Sequence, residues 1–218
     1  MNVSNNRINT LIFDLDGTLV DSRQDIFEAV NQSRKILGLS VLSFDIIISY
    51  VGDGFKALLE KSFSDSIGNI DKAIEIYKDY YSNHLLDSTR LYPKISEMLE
   101  KFKGYNLSVI SNKNEDWTLK TLQGLQIHNY FKDIIGGDTF SYKKPHPEAI
   151  NHVIKKYGVN KENVVMIGDN YTDILAAKYA GVKSCFCQYG FGNPRGEKAN
   201  WIVHNVQQII DLFSTTTN

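Results

Sequence analysis

Short, nearly continuous apolar segments recur along this chain, and each of them ends abruptly in polar residues. Residues 8–13 run into Asp14, residues 107–110 into Ser111, and residues 164–167 into a glycine followed by Asp169. Further segments of this kind occupy residues 184–187 and, more weakly, residues 133–135 and 201–203. Strands that are apolar along their whole length are typical of a parallel sheet buried on both faces.

Helical periodicity fills the gaps between these strands from about residue 91 onward. The predicted helices cover residues 95–102, 149–157, 174–180 and 206–213. Gly158 and Gly181 follow two of these segments directly, where a glycine commonly ends a helix. Strands that alternate with helices predict an α/β fold with a doubly wound parallel sheet, that is, a Rossmann-like core.

The stretch from residue 21 to residue 88 breaks this alternation. It carries helix-like patterns at residues 26–37, 55–63 and 73–86 and no convincing strand pattern. We therefore predict a helical second domain inserted after the first strand, with its connections near residues 20–22 and 88–92. The expected division is an α/β core of residues 1–20 and 89–218 and a helical domain of residues 21–88.

Charge and length limit the classes of partner. The 218 residues include 24 Lys and Arg against 25 Asp and Glu, a formal net charge of -1. This balance provides no global attraction to nucleic acid or to an anionic membrane, so neither is an expected partner. No apolar run approaches the length of a membrane span, and residues 1–7 lack the apolar core of a signal peptide, so we expect a cytoplasmic protein.

The two cysteines, Cys185 and Cys187, are too few for a disulfide framework. They lie two residues apart in an apolar segment, so on a strand both would point to the same face and be poorly placed to bridge each other. We expect reduced packing residues, which suits a reducing compartment.

Polar side chains collect directly after the strands. Asp14 and Asp16 follow the first strand, Ser111 and Asn112 the second, and Asp169 and Asp173 a later one, while Lys144 precedes a helix. Ligands of open α/β sheets bind outside the carboxyl ends of the strands, so these residues should meet in one crevice. Clustered carboxylates require a cation, for which Mg²⁺ is the natural candidate, and Lys144 with the Ser-Asn pair would cradle a tetrahedral anion. Together these groups describe phosphoryl transfer.

Four motifs make the chain similar to the haloacid dehalogenase-like phosphatases. Residues 13–22 (FDLDGTLVDS) resemble the first motif of that family, residues 110–112 (ISN) the second, residues 143–145 (KKP) the third and residues 168–173 (GDNYTD) the fourth. They occur in the family's order, and the predicted insert after the first motif matches its helical cap. Within the family the glycine-bearing cap segment 51–55 (VGDGF) most resembles phosphoglycolate phosphatases.

The resemblance implies roles for the residues of the core. Asp14 is the expected nucleophile, which forms an aspartyl-phosphate, and Asp16 the expected general acid and base. Ser111, Asn112 and Lys144 are expected to bind the phosphoryl group, helped by backbone N–H groups near residues 15, 16 and 112. The carboxylate of Asp14 must stay ionised, which nearby Mg²⁺ and Lys144 favour.

The metal and the cap complete the expected site. Asp14, Asp16 (through its backbone carbonyl) and Asp169 are the expected Mg²⁺ ligands, while Asp173 orients a metal-bound water or Lys144. Gly17 and Thr18 support the site, Gly17 because a glycine lets the backbone turn close to the substrate. Cap contacts to the substrate are expected from the segment Gly52, Asp53 and Gly54, in a cap that closes over the site.

Each motif alone has a purely structural explanation. Ser111 and Asn112 would also suit a loop or a helix N-cap, residues 169–173 would also cap the following helix, and Gly52 and Gly54 would also suit a simple turn. The glycine-rich segment 190–196 misses the dinucleotide-binding spacing by one residue, so we interpret it as a loop at the rim of the site. It is the conjunction of four motifs in order that favours an enzyme.

The expected function is a Mg²⁺-dependent phosphatase of a small phosphorylated metabolite, resembling phosphoglycolate phosphatase. Three alternatives share the same core: a pyrophosphatase, a nucleotide phosphatase and a sugar-phosphate mutase. A signalling module phosphorylated on aspartate belongs to a different class and is disfavoured, because receiver domains are shorter and place the acceptor on a middle strand. A dehalogenase is disfavoured by the acid at Asp16, and the chain is expected to act as a monomer or homodimer.

Overall fold

The computed structural model of the chain describes residues 7–65 and 70–214, so the N-terminal residues 1–6 considered above lie outside the described part. In chain order the elements are β1 (Thr10–Phe13), β2 (Val20–Asp21), α1 (Arg23–Ile36), α2 (Phe44–Ser49), α3 (Phe55–Ser62), α4 (Ile70–Asn83), β3 (Arg90–Leu91), α5 (Ile95–Lys101), β4 (Asn106–Ile110), α6 (Glu115–Gly124), β5 (Asp133–Ile135), α7 (Glu148–Tyr157), β6 (Val164–Gly168), α8 (Tyr171–Ala180), β7 (Lys183–Cys187), β8 (Trp201–Val203) and α9 (Val206–Phe213).

Within the described residues, six strands form one parallel sheet in the order β5-β4-β1-β6-β7-β8. β1 lies between β4 and β6, so the strand order changes direction beside it. The crevice outside the carboxyl ends of the strands at such a switch point is where open α/β sheets bind their ligands. The predicted α/β class with a doubly wound parallel sheet is confirmed.

Helices cover both faces of this sheet, as its fully apolar strands require. Leu11 and Phe13 of β1 pack into a cluster with α5 and α9, whereas Ile12 between them packs into a second cluster with α7 and α8. All three side chains are completely buried. This alternation is the two-residue period of a strand, with both faces apolar.

Both cysteines of β7 belong to the cluster formed by α5 and α9, so they point to the same face as predicted. They are free and buried, and burial raises the pKa of Cys185 to about 12. A thiol with so high a pKa stays protonated at neutral pH and serves as a small packing residue.

The helices from α1 to α4 (residues 23–65 and 70–83, hereafter the helical insert) pack around their own apolar cluster, which includes Ile47, Leu59 and Tyr77. Trp117 of α6 joins the same cluster, and its indole N–H donates to Ser82 Oγ at 2.8 Å. The insert is therefore packed against the sheet-bearing part of the chain. Its assignment as a separate domain of residues 21–88 stays a prediction.

Four elements, β2, β3, α2 and α6, were not predicted from the sequence. The segments expected to be plain connections pair as a two-stranded antiparallel ribbon of β2 and β3, which at two residues each show no periodicity. α2 is a single short run of six residues. α6 buries Thr118 and Thr121 alongside Trp117 and Leu122. Two of its buried residues are therefore polar, and the sequence shows no apolar helical periodicity there.

Asp25 ties the insert to its second connection. This carboxylate, 3% exposed, accepts hydrogen bonds from the backbone N–H of Ser88 at 2.8 Å, from the N–H of Thr89 at 2.8 Å and from the Thr89 hydroxyl at 2.6 Å. The first turn of α1 is thereby fixed to the chain that leads into β3.

Replacing Asp25 by Ala leaves these three donors without their acceptor. We expect Asp25→Ala to lower the free energy of unfolding by about 2–3 kcal/mol, because buried donors that lose their partner keep the cost of desolvation. The matched control is Asp79→Ala on the exposed side of α4, expected to change stability by less than about 0.5 kcal/mol. Urea titration measures both, and equal effects of the two substitutions would contradict the assigned role of Asp25.

Candidate active site

The order of the strands brings the predicted site residues together. Asp14 follows β1, Ser111 follows β4 on one side of it, and Asp169 follows β6 on the other. The three strands are parallel and in register, so their carboxyl ends lie at one edge of the sheet. Lys144 reaches this edge from the loop between β5 and α7.

Lys144 lies between two carboxylates. Its Nζ is 2.9 Å from Asp14 Oδ1 and 2.6 Å from Asp173 Oδ1, and the residue is only 3% exposed. Burial lowers the pKa of the Lys144 ammonium, but Asp14 and Asp173 raise it by more, so the pKa lies above its ordinary value. Lys144 therefore remains charged.

The carboxylates outnumber this lysine. Asp14, Asp169 and Asp173 each place an oxygen within 4.8 Å of the others, and all three are buried. Burial raises the pKa of Asp14, the charge of Lys144 lowers it and the charge of Asp173 raises it, and the combined result is about 7. Burial and the charges of Asp14 and Asp173 likewise hold the pKa of Asp169 well above its ordinary value. A cation beside Asp14 in addition to Lys144 would favour the ionised form of this carboxylate.

A hard divalent cation fits this donor set. Three buried carboxylates against one ammonium leave excess negative charge, which a metal ion with oxygen ligands neutralises. One oxygen of Asp169 is already held, since Oδ2 accepts from the N–H groups of Phe191 at 2.9 Å and Gly192 at 2.7 Å. Oδ1 of the same residue accepts no hydrogen bond from the described residues and remains free to bind a metal.

The loop that holds Asp169 is the glycine-rich segment predicted to form the rim of the site. Phe191 and Gly192 line the cavity described below. The sequence indicated the position of this loop but not that its backbone orients the carboxylate of Asp169. Hydrogen bonds from backbone N–H groups do not depend on side-chain type, so the sequence gives no sign of them.

Asp173 serves both of the roles weighed from the sequence. Its Oδ2 accepts from the backbone N–H of Asn170 at 3.0 Å, which together with the Asn170 side chain forms a capping box at the start of α8. Its Oδ1 accepts from Lys144. The helix cap therefore fixes the carboxylate that holds the lysine.

The side chain of Asp16 lies apart from this cluster. Its Oδ1 accepts hydrogen bonds from the Ser22 hydroxyl and, at 2.7 Å, from Lys113 Nζ. Lys113 was not singled out from the sequence, although it directly follows the Ser-Asn motif, and it is buried at the edge of the cavity. Lys113 thus lies beside Asp16, as Lys144 lies beside Asp14.

Ser111 and Asn112 differ in what their side chains leave available. Ser111 Oγ accepts from the N–H of Lys113 at 3.2 Å, so its own hydroxyl proton is free to be donated. The Asn112 amide instead donates to the carbonyls of Gly52 and Lys144, both at 2.9 Å. Asn112 therefore acts as a tie between loops, which leaves its backbone N–H as its donor toward an anion.

The predicted cap segment lies directly over the site. Gly52 and Gly54 line the cavity, whereas Asp53 points to the neighbouring loops. Asp53 accepts from the Tyr171 hydroxyl, from Lys61 Nζ at 3.1 Å and from Arg195 at 3.4 Å. Tyr171 and Arg195 belong to the sheet-bearing part, so this contact set (hereafter the Asp53 latch) fastens the helical insert over the carboxyl ends of the strands.

The cavity is polar on one side and mostly apolar on the other. Asp14, Asp16, Ser111, Lys144 and Asp169 lie on the polar side. The insert and α6 supply the other wall, which consists mostly of apolar and aromatic side chains: Ile26, Val51, Phe55, Leu58, Tyr77, Tyr81 and Trp117. Thr18 is fully buried outside this lining, with its carbonyl accepting from the Tyr189 hydroxyl.

Within the described part of the chain, no helix is both long and apolar enough to cross a lipid bilayer.

Gly17 is required by space as well as by backbone conformation. Its φ is 85°, and a Cβ at this position would lie 1.9 Å from Asp169 Oδ2. Gly38 provides the contrast, because its φ is 72° but a Cβ there would meet nothing within 4 Å.

Alanine substitutions at Gly17 and Gly38 distinguish the cost of backbone strain from the cost of a steric clash with Asp169. Gly17→Ala and Gly38→Ala should each cost about 1–2 kcal/mol for a left-handed alanine. Only Gly17→Ala also displaces Asp169, which adds about 1–3 kcal/mol of overpacking. The free energies of unfolding in urea should therefore differ by that second amount, and indistinguishable values would show that Asp169 does not press on Gly17.

Comparison with known proteins agrees with this geometry. A family model described as haloacid dehalogenase-like hydrolase matches residues 11–187. A phosphoglycolate phosphatase of Colwellia psychrerythraea is 41% identical over 94% of this chain and 93% of its own, and one of Aquifex aeolicus is 38% identical over 93% and 95%. A crystal structure of a predicted phosphoglycolate phosphatase from Haemophilus somnus superposes with a TM-score of 0.90 at 27% identity, covering 94% of this chain and 97% of its own.

A haloacid dehalogenase-like hydrolase of Streptococcus pneumoniae superposes with a TM-score of 0.83 at 28% identity, covering 94% of this chain and 98% of its own. The family model, the relatives and the shared fold all extend across the four motifs and the helical insert. The chain therefore belongs to the haloacid dehalogenase-like hydrolase family.

Proposed function

We propose that this phosphoric monoester hydrolase removes phosphate from a small phosphorylated metabolite, with 2-phosphoglycolate as the preferred substrate, through an aspartyl-phosphate on Asp14. The observation that carries the proposal is the pairing of Asp14 with Lys144 at the floor of a cavity that also contains Asp16 and Ser111. The substrate is supported by the phosphoglycolate phosphatases that are 38–41% identical over most of the chain.

Lys144 and the residues that follow β4 bind the phosphoryl group. Lys144 Nζ contributes positive charge beside Asp14, and Ser111 contributes its free hydroxyl proton. The backbone N–H groups of Leu15 and Asn112 donate to no other described residue, which leaves them available to phosphoryl oxygens. Donors fixed in this way need no reorganisation when charge develops on the phosphoryl group.

The first chemical step is an exchange of bonds at phosphorus. Oδ1 of Asp14 is held by Lys144, so Oδ2 is the oxygen free to attack. A bond forms from this oxygen to phosphorus, the bond from phosphorus to the ester oxygen breaks, and Asp16 transfers a proton to the departing alkoxide. Asp16 Oδ1 is occupied by Ser22 and Lys113, which leaves Oδ2 for this transfer.

The second step regenerates the enzyme. A water molecule gives a proton to Asp16 while the water oxygen forms a bond to phosphorus, and the bond from phosphorus to Asp14 breaks. Inorganic phosphate and the free carboxylate of Asp14 result, and Asp16 is again protonated. The Asp53 latch supports a cap role for the insert, because it holds the insert beside the site, where a cap would limit access of bulk water during the first step.

Mg²⁺ is the proposed cofactor, held by Asp14, by the backbone carbonyl of Asp16 and by Asp169. When bound, it neutralises the phosphoryl oxygens and the clustered carboxylates. Asp173 then acts through Lys144, which it holds at 2.6 Å. Location in the cytoplasm and action as a monomer or homodimer remain part of the proposal.

Asp14→Asn tests the nucleophile. We expect phosphate release from 2-phosphoglycolate to fall on the order of 10⁴-fold or more, because an amide oxygen does not form the covalent intermediate. Asp116→Asn, on an exposed position of α6, is the matched control and should keep full activity. Turnover by Asp14→Asn within tenfold of the unmodified enzyme would refute covalent catalysis by this residue.

A substrate panel tests the assignment of 2-phosphoglycolate. Pyrophosphate, nucleoside monophosphates and sugar phosphates are assayed beside it for phosphate release, and the sugar phosphates also for isomerisation. A higher kcat/KM for another ester would replace the substrate and leave the mechanism in place. Isomerised sugar phosphate would indicate a mutase, and stably phosphorylated protein without turnover would indicate a signalling module.

Removal of the metal tests the cofactor. Chelation by EDTA should abolish phosphate release, and excess Mg²⁺ should restore it. Asp169→Asn should raise the Mg²⁺ concentration for half-maximal activity at least ~10-fold, since a free carboxylate oxygen is lost as ligand. The Asp116→Asn control should keep the Mg²⁺ dependence of the unmodified enzyme, and activity that persists in EDTA would exclude a required metal.

A further inference from the structure

We propose that Lys113 determines substrate specificity by binding a carboxylate on the alcohol portion of the phosphate ester, and that the enzyme therefore selects phosphate esters of short hydroxy acids. This inference rests on the proposed phosphatase function and adds the residue that recognises the leaving alcohol. It is carried by the position, the charge and the surroundings of Lys113.

Lys113 projects from a rigid part of the backbone. Its N–H donates to Ser111 Oγ at 3.2 Å, and its carbonyl accepts from the N–H of Gly137 at 2.7 Å. The residue is 9% exposed and lines the cavity, just past the end of β4. The backbone from which the ammonium group projects is therefore fixed beside the proposed substrate.

Two cations line the cavity among the described residues, Lys113 and Lys144. Lys144 is engaged by Asp14 and Asp173 and faces the phosphoryl group. Lys113 is the cation that remains for a second anionic group, because the wall beyond it is mostly apolar and aromatic. A carboxylate placed against that wall without a cation would lose its hydration without compensation.

The ammonium of Lys113 has capacity for this contact. It carries three donors, of which one is directed to Asp16 Oδ1 at 2.7 Å. The same group lies 5.3 Å from the centroid of the Tyr81 ring, which stabilises its charge without using an acceptor. A substrate carboxylate thus adds a partner to Lys113 and need not displace Asp16.

The aromatic wall beside Lys113 is itself well packed. The Tyr81 ring stacks on Tyr77 at 5.2 Å between centroids and meets Trp117 edge-on at 5.1 Å. Trp117 is in turn anchored by its hydrogen bond to Ser82. A site held by packed rings discriminates between ligands better than a mobile one.

The distance from Lys113 to Asp16 limits the length of the acid. Asp16 is the proposed proton donor to the ester oxygen, and Lys113 Nζ lies 2.7 Å from its carboxylate. An acid group that reaches Lys113 must therefore lie close to the ester oxygen, as it does when one carbon separates them. Sugar monophosphates carry no second anionic group for Lys113, and hydroxy acids with a longer chain between the ester oxygen and the carboxylate place that carboxylate farther away. The geometry therefore favours a two-carbon or three-carbon 2-hydroxy acid.

The test compares an acid with its uncharged analogue. The ratio of kcat/KM for 2-phosphoglycolate to kcat/KM for its carboxamide, 2-phosphoglycolamide, is measured with saturating Mg²⁺. We expect the unmodified enzyme to prefer the acid on the order of 100-fold, and Lys113→Met to reduce this ratio to within about threefold of unity. Lys120→Met, which removes an exposed lysine of α6, should leave the ratio unchanged.

The ratio separates binding of substrate from an effect on Asp16. If Lys113 acted only by positioning Asp16, Lys113→Met would lower kcat/KM for acid and amide by the same factor, and the proposal would be wrong. Lys113→Gln covers a failure of the Met variant to fold, since it retains a hydrogen-bond donor while it removes the charge. Its ratio should also approach unity, with circular dichroism to establish the folded state.

A measurement without turnover supplies the second readout. Glycolate should protect the unmodified enzyme against thermal unfolding, and this protection should be lost in Lys113→Gln and kept in Lys120→Met. Release of phosphate from many esters with no preference for the acid would overturn the role of Lys113 and leave the phosphatase intact. No release from any ester in folded, Mg²⁺-supplied protein would refute the proposed function, and the inference about Lys113 with it.

Discussion

The contacts of Lys144 with Asp14 and Asp173 are the interaction on which the rest of the site depends. A buried ammonium between two buried carboxylates is tolerated only where the geometry fixes all three groups. The strand end fixes Asp14, the capping box of α8 fixes Asp173, and Asn112 fixes the lysine backbone through its carbonyl. Because the acids still outnumber the lysine, the same geometry fits a divalent cation.

The helical insert completes this site instead of merely covering it. It contributes the aromatic wall and the glycines above the acids, and it is fastened by contacts of Asp53 with Tyr171 and Arg195. Asn112 links the insert to the core as well, since one amide donates to Gly52 and to Lys144. The position of the insert and the conformation of the loop at Ser111 and Asn112 are therefore physically connected.

Most of the fold was predictable because its signals are local. Strands at residues 133–135 and 201–203 and the helix at residues 206–213 have the predicted bounds. The β2-β3 ribbon was not predicted, because two-residue strands carry no periodicity, and α6 was missed because threonines occupy part of its buried face. Prediction of the site has the same limit, because it depends on local patterns. The four motifs indicated Asp14, Ser111, Lys144 and Asp169. Lys113 was missed, because in the sequence a lysine next to a motif cannot be distinguished from a solvated surface lysine.

The sequence by itself determined which residues stand at the ends of the strands, since apolar runs that stop at polar residues specify both the sheet and its reactive edge. Only the tertiary structure decided which of these residues touch. Lys113 meets Asp16 across 97 positions of sequence, Tyr171 meets Asp53 across 118, and the N–H groups of residues 191 and 192 meet Asp169 through a loop. Such contacts depend on how loops and helices pack around the sheet, and no local pattern of residue types encodes that packing.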